Sequence, residues 1–106
     1  MDQKYKLSEE WIAQAEYDMK TAMALYNSGR YIYAIYICHL SIEKALKGLF
    51  ASVYEIDPPK THNLNYLLNK IREKTTLSLT NLQEEFIELL NEKSVPARFQ
   101  MYLRFY

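Results

Sequence analysis

Apolar residues along this chain recur mostly at three- and four-residue steps, and breaks in that rhythm divide it into four helical segments. In the first, Ser8 is the expected N-cap, and Ile12, Ala15, Met19, Ala22, Met23 and Tyr26 mark one face. Glu9, Glu10, Glu16, Asp18 and Lys20 supply the wet side, with the early acids favoured by the helix dipole. Gly29 after Asn27-Ser28 is the expected left-handed cap, and so short a break turns the next helix straight back on the first.

Residues 31–54, YIYAIYICHLSIEKALKGLFASVY, are the stretch on which the rest is built. Ile35, Cys38, Ile42, Ala45, Leu46, Leu49 and Val53 share one face, and Tyr33, Ile37, Leu40 and Lys44 run down another. A helix apolar on two sides belongs in the middle of an assembly. Asp57-Pro58-Pro59 stops it. Asn63 is the expected cap of a third helix with the stripe Leu64, Leu67, Leu68 and Ile71. Residues 75–79 are hydroxyl-rich and read as a connection, after which Thr80 and Gln83 form a capping-box pair. Leu82, Phe86, Leu89 and Leu90 give the fourth helix its expected apolar face. Pro96 closes it, and ARFQMYLRFY makes a short fifth helical segment whose apolar content must dock on the bundle or on a partner. The expectation is an all-α, antiparallel up-and-down four-helix bundle with that C-terminal piece, one domain over residues 1–106.

Composition narrows the partners. Hydrophobic residues at 49% and charged residues at 25% are ordinary for a soluble domain. Thirteen basic against thirteen acidic residues give no global field toward nucleic acid or membrane, although a local basic patch is compatible with that balance. The single cysteine, Cys38, reads as a small core hydrophobe, not half of a disulfide. The start of the sequence lacks an apolar signal-like run. The stretch 31–42 is too short to span a bilayer, and Glu43, Lys44 and Lys47 interrupt it beyond that point. A cytoplasmic protein without membrane contact is expected.

Candidate chemistry is sparse, and each candidate has a structural counterpart. His39, Glu43 and Lys47 lie four apart on one helical face; a carboxylate there orients an imidazole or holds a phosphate-binding lysine. The structural reading, a modest i,i+4 network, weighs more because no nucleophile is evident nearby. His62, beside a helix N-terminus, either meets a phosphate or bonds the Pro-Pro turn; the dipole disfavours imidazolium there, which favours the structural role. A metal site from His39, Glu43 and His62 lacks a ligand motif, so no metal and no cofactor are expected. In the tail, Arg98 and Arg104 interleave with Phe99, Tyr102, Phe105 and Tyr106, which suits RNA stacking but suits a protein interface better at zero net charge. Tyr31, Tyr33 and Tyr36, with Phe99 and Tyr102, are the expected dimer seam, since tyrosine offers large area with a polar tip.

Several of these segments, in order, resemble a HEPN domain, the small helical-bundle family found beside or fused to minimal nucleotidyltransferases. The likeness rests on Trp11, Ala15, Asp18 and Ala22, then on Gly29-Arg30-Tyr31. The densest part is Cys38-His39-Leu40-Ser41-Ile42-Glu43-Lys44-Ala45-Leu46-Lys47, similar to the family's EKALK helix. Pro58-Pro59-Lys60-Thr61-His62-Asn63-Leu64 resembles its PPxTH(D/N)L loop, and Ala97-Arg98-Phe99 its late (A/S)RY segment, with Gln100 in place of the usual proline. The resemblance implies an up-and-down bundle, a two-fold homodimer and a nucleotidyltransferase partner. In some branches it also implies metal-independent RNA cleavage by an Arg and a His four to six residues apart. This chain departs from that spacing: Arg30 lies nine positions before His39, and no histidine follows Arg72, Arg98 or Arg104. The expectation is a non-catalytic module acting as the substrate- or nucleotide-binding or regulatory subunit of a toxin–antitoxin-like pair. Asp18, His39, Glu43, Lys47 and His62 would form its nucleotide or phosphate groove. The competing reading is a ribonuclease acting on RNA through Arg98 with His39 or His62.

Overall fold

The computed structural model describes residues 7–93, which form four helices: α1 (Ser8–Asn27), α2 (Tyr31–Tyr54), α3 (Leu64–Arg72) and α4 (Asn81–Lys93). The class is all-α, as the periodicity predicts. The tail 97–106, expected as a fifth helical segment, lies outside the described residues, as does Pro96.

α1 and α2 pair antiparallel along a seam of small residues. Ala15 and Ala22 on α1, and Ala34, Ser41 and Gly48 on α2, recur every seven positions and are all buried. A seven-residue repeat keeps one face of each right-handed α-helix turned toward its partner along the seam. Small side chains let the backbones approach: Ser41 Oγ donates to the Ala15 carbonyl at 2.7 Å. At Gly48, a Cβ would stand 3.0 Å from Trp11 Cβ and 3.2 Å from the Ser8 carbonyl oxygen. Glycine inside a helix costs about 1 kcal/mol relative to alanine, and here the first turn of α1 requires it.

That contact accompanies a difference at the N-terminus. Ser8 does not cap; it is the first helical residue, and the extended Leu7 takes the cap position, its carbonyl accepting from Glu10 N at 3.0 Å and Trp11 N at 3.3 Å. The other end agrees with expectation. Gly29 adopts φ +79°, and the Gly29 and Arg30 N–H groups bond to the Tyr26 and Leu25 carbonyls at 3.0 and 2.8 Å, a Schellman closure.

The second core lies on the other side of α2, where Leu46 and Phe50 meet Leu64, Leu67, Leu68 and Ile71 of α3 and Ile87 and Leu90 of α4. The predicted stripe of α3 is buried throughout, and Asn63 caps it, its Oδ1 accepting from Tyr66 N at 3.0 Å. Thr80 and Gln83 form the reciprocal capping box at 3.1 and 2.9 Å. Two expected faces are rotated. On α2, Leu46 alone of its first predicted face is buried; Ile35 is 48% exposed, while the polar His39, Ser41, Glu43 and Lys47 are buried. On α4, Leu82, Phe86 and Leu89 are exposed, and the buried pair is Ile87 and Leu90. The cause is the same in both: apolar periodicity was broad enough to permit several faces, and the position of α3 selected among them.

The connection between α2 and α3 decides where the polar residues go. α2 ends with Glu55 in the left-handed region at φ 57°. The Pro58-Pro59 segment then brings His62 back beside the middle of α2, so α3 starts there and not at the end of α2. α4 starts near Arg72, whose Nη2 donates to Glu84 Oε1 at 2.7 Å, and runs back until Asn91 Oδ1 accepts from Leu64 N at 2.6 Å.

Candidate functional site

A buried carboxylate is the centre of the polar cluster this connection creates. His39, Glu43 and Lys47 are spaced to share one face of α2, and Glu43 binds neighbours with both oxygens. Its Oε2 accepts from Lys47 Nζ at 2.9 Å, and its Oε1 accepts from His62 Nδ1 at 2.8 Å. The side chains of Glu43 and Lys47 are 5% and 10% exposed. A buried carboxylate without partners is strongly disfavoured, so the loop histidine and the helix lysine are both needed to hold it. Lys47 Nζ also lies 5.7 Å from the centre of the Trp11 ring, within cation–π range.

His39 is completely buried, and its Nε2 lies 3.8 Å from Glu43 Oε1. Two backbone carbonyls stand by its ring, that of His62 at 2.9 Å from Nε2 and that of Leu90 at 3.3 Å from Nδ1, and one ring N–H can donate to one of them at a time. One ring thereby ties α2 to the loop before α3 and to the last turns of α4. No sequence signal marks the Leu90 carbonyl, because it is backbone; nor does any mark Asn91 as the side chain that meets the first N–H of α3.

His62 is the outer member. Its side chain is 54% exposed, and with Nδ1 donating to Glu43, the second ring nitrogen is the group left to an incoming ligand. It opens on a depression of about 410 Å³ lined by Lys60, Thr61, Asn63 and Asn91. Thr61 Oγ1 accepts from Asn63 N at 3.1 Å, so its hydroxyl is held in the turn. The Lys60 ammonium suits an anionic ligand, while an imidazole whose Nδ1–H is given to Glu43 offers its second nitrogen as an acceptor; no cysteine or serine lines this depression among the described residues.

Of the five residues expected to share a groove, four converge: His39, Glu43, Lys47 and His62. Asp18 stands apart, paired with Lys44 at 2.8 Å across the α1–α2 interface. Among the described residues no group of three His, Cys, Asp or Glu side chains is placed to hold a metal ion. Arg98, the arginine of the ribonuclease reading, lies outside the described residues.

The model of the HEPN domain matches residues 8–104, a span that includes the Trp11 helix, the His39–Lys47 turns and the Pro58–Leu64 loop. The chain belongs to the HEPN domain family. No curated protein and no solved structure matches it. In this HEPN domain, Tyr31 and Tyr33 are exposed and Tyr36 is half-buried, while Phe99 and Tyr102, the rest of the expected seam, lie outside the described residues. No helix among the described residues is long and apolar enough to cross a membrane.

Proposed function

We propose that this HEPN domain is a non-catalytic interaction module that homodimerises and pairs with a separate minimal nucleotidyltransferase. It serves that partner as a substrate- or nucleotide-binding or regulatory subunit, in the manner of a toxin–antitoxin pair. One observation carries the reading: the polar residues of the densest family-like motif are used internally. His39 lies buried against the His62 and Leu90 carbonyls, and Glu43 is held by Lys47 and by His62. Groups so engaged hold a bundle together; they are not arranged as a general acid and base around a bond to be cut.

Two further features support the binding role. Tyr26, Tyr31 and Tyr33 are exposed where α1 meets α2, and large apolar rings with polar tips suit a protein seam. At the other site, His62 and Lys60 line one depression, where the Lys60 ammonium can meet a phosphate and the second His62 nitrogen can accept a hydrogen bond from a base or ribose hydroxyl of a nucleotide.

Light scattering of the purified protein at high micromolar concentration tests the dimer, and a monomer there overturns it. Native mass spectrometry of the protein isolated from its host's lysate is expected to show a second, nucleotidyltransferase-sized chain. RNA cleavage in EDTA, lost in Arg98→Ala and in His62→Ala, would overturn the non-catalytic reading in favour of the ribonuclease.

A further inference from the structure

The first N–H groups of α3 fix the orientation of two asparagine amides beside His62. Leu64 N donates to Asn91 Oδ1 at 2.6 Å, and Tyr66 N donates to Asn63 Oδ1 at 3.0 Å. A backbone N–H must meet an oxygen, so neither amide can be turned over. Each therefore leaves its NH2 group, a double donor, for the depression of about 410 Å³ that both residues line. We propose that this depression binds a ribose phosphate ending in a single phosphoryl group, with Asn63 and Asn91 donating to the phosphoryl oxygens beside Lys60. The proposal rests on the phosphate-binding part of the reading above; it names the ligand class and two further binding residues.

Three features select that ligand. The first is the surplus of donors. Besides the two amides, the exposed Lys60 brings an ammonium. Thr61, whose Oγ1 accepts from Asn63 N at 3.1 Å, still has its own O–H to give. Four donor side chains suit the three oxygens of a phosphoryl group better than the two of a carboxylate.

The second is charge. Lys60 is the one lysine or arginine lining the depression among the described residues. The Glu43 carboxylate behind His62 is already balanced by Lys47 at 2.9 Å, so it does not set the charge of the site. One ammonium among neutral donors matches a single phosphate. A triphosphate brings further negative charges that nothing in this wall offsets.

The third is the acceptor. His62 gives its Nδ1–H to Glu43 at 2.8 Å, so its second nitrogen carries a lone pair. That nitrogen turns away a phosphoryl oxygen and takes a hydroxyl, which a ribose holds close to its phosphate. Neither asparagine is marked by the sequence, because what gives each its role is a backbone N–H of α3.

Aspartate separates binding from folding at Asn91. In Asn91→Asp, a carboxylate oxygen still accepts the Leu64 N–H, and a negative charge there suits the start of α3, so Tm is expected not to fall. The NH2 donors are gone and a like charge faces the phosphate. Calorimetric titrations of the full chain use ribose 5-phosphate, ribose and uridine 5′-triphosphate. Ribose 5-phosphate is expected to bind more tightly than either of the others. Asn91→Asp is expected to weaken it by about ten-fold or more, and Lys60→Gln, an exposed change that leaves the fold alone, by a similar factor. Tighter binding of the triphosphate would overturn the single-phosphoryl assignment. Unchanged affinity for ribose 5-phosphate in Asn91→Asp would overturn the amide's role while leaving phosphate binding itself in place. Should that variant not fold, unchanged affinity in Lys60→Gln overturns the site. If the unaltered chain binds neither phosphate compound at millimolar concentration, the phosphate-binding reading fails and this proposal with it.

Discussion

Replacing Glu43 by glutamine keeps the side chain's size and removes its charge, which isolates what the buried carboxylate does. At 2.9 Å from Lys47 Nζ and an effective dielectric of 20, the attraction is about 6 kcal/mol, most of it offset by the desolvation of both charges. The informative quantity is the imbalance left behind. With Glu43 neutral, Lys47 remains only 10% exposed by its side chain, and His62 keeps no charged acceptor. Breaking a buried pair from one side costs about 3–5 kcal/mol, whereas an exposed pair is worth about 0.2–1 kcal/mol. We place Glu43→Gln at about 3 kcal/mol, because the amide oxygen still accepts one hydrogen bond. In a domain of this size that lowers Tm by about 12 °C or more. Urea titration followed by far-UV circular dichroism reads the loss as a shift in midpoint at constant slope. Glu43→Leu combined with Lys47→Leu removes both charges and is expected to recover most of it. A Glu43→Gln loss under about 1 kcal/mol, or a double variant as unstable as the sum of its singles, would show that the cluster is a solvated surface network and refute the reasoning.

Three other outcomes follow from the geometry. Gly48→Ala gains about 1 kcal/mol of helix propensity but drives a Cβ into Trp11 Cβ and the Ser8 carbonyl, and overpacking costs about 1–3 kcal/mol; a net loss of about 1 kcal/mol in a thermal melt is expected, and a gain would mean the seam is looser than described. Thr80→Ala removes the hydroxyl that caps Gln83 N at 3.1 Å and is expected to cost about 1 kcal/mol, measured the same way. Burial pushes the Cys38 thiol above its ordinary value of 9.0. A group whose proton is held more tightly in the folded state contributes stability below its unfolded value and loses it as pH rises through the folded one. Cys38→Ala is therefore expected to flatten the fall in stability above about pH 9; parallel alkaline curves for the two proteins would contradict the burial effect.

Helix existence, the turn chemistry and the α3 stripe were legible because they depend on neighbours in sequence: Gly29 supplies a positive φ, Asn63 and Thr80 reach N–H groups three residues on, and Leu64, Leu67, Leu68 and Ile71 admit one face. The family likeness was legible for a related reason, since it rests on the order of short motifs and not on their contacts. Most of the candidate site was nameable in the same way, because His39, Glu43 and Lys47 share a face through helical periodicity alone. Which face of α2 goes inside was not. That helix is apolar on most of its circumference, so periodicity cannot rank its sides, and α1 takes the small-residue seam while the returning Pro58–His62 loop buries the polar side. The same loop turns His62 onto Glu43 and leaves Asp18 to Lys44. Local sequence thus determined the elements, their caps and the members of the polar row. Tertiary structure alone decided their burial and partners, because a buried charge must find its counter-charge and a buried ring its carbonyls, and those come from segments far away along the chain.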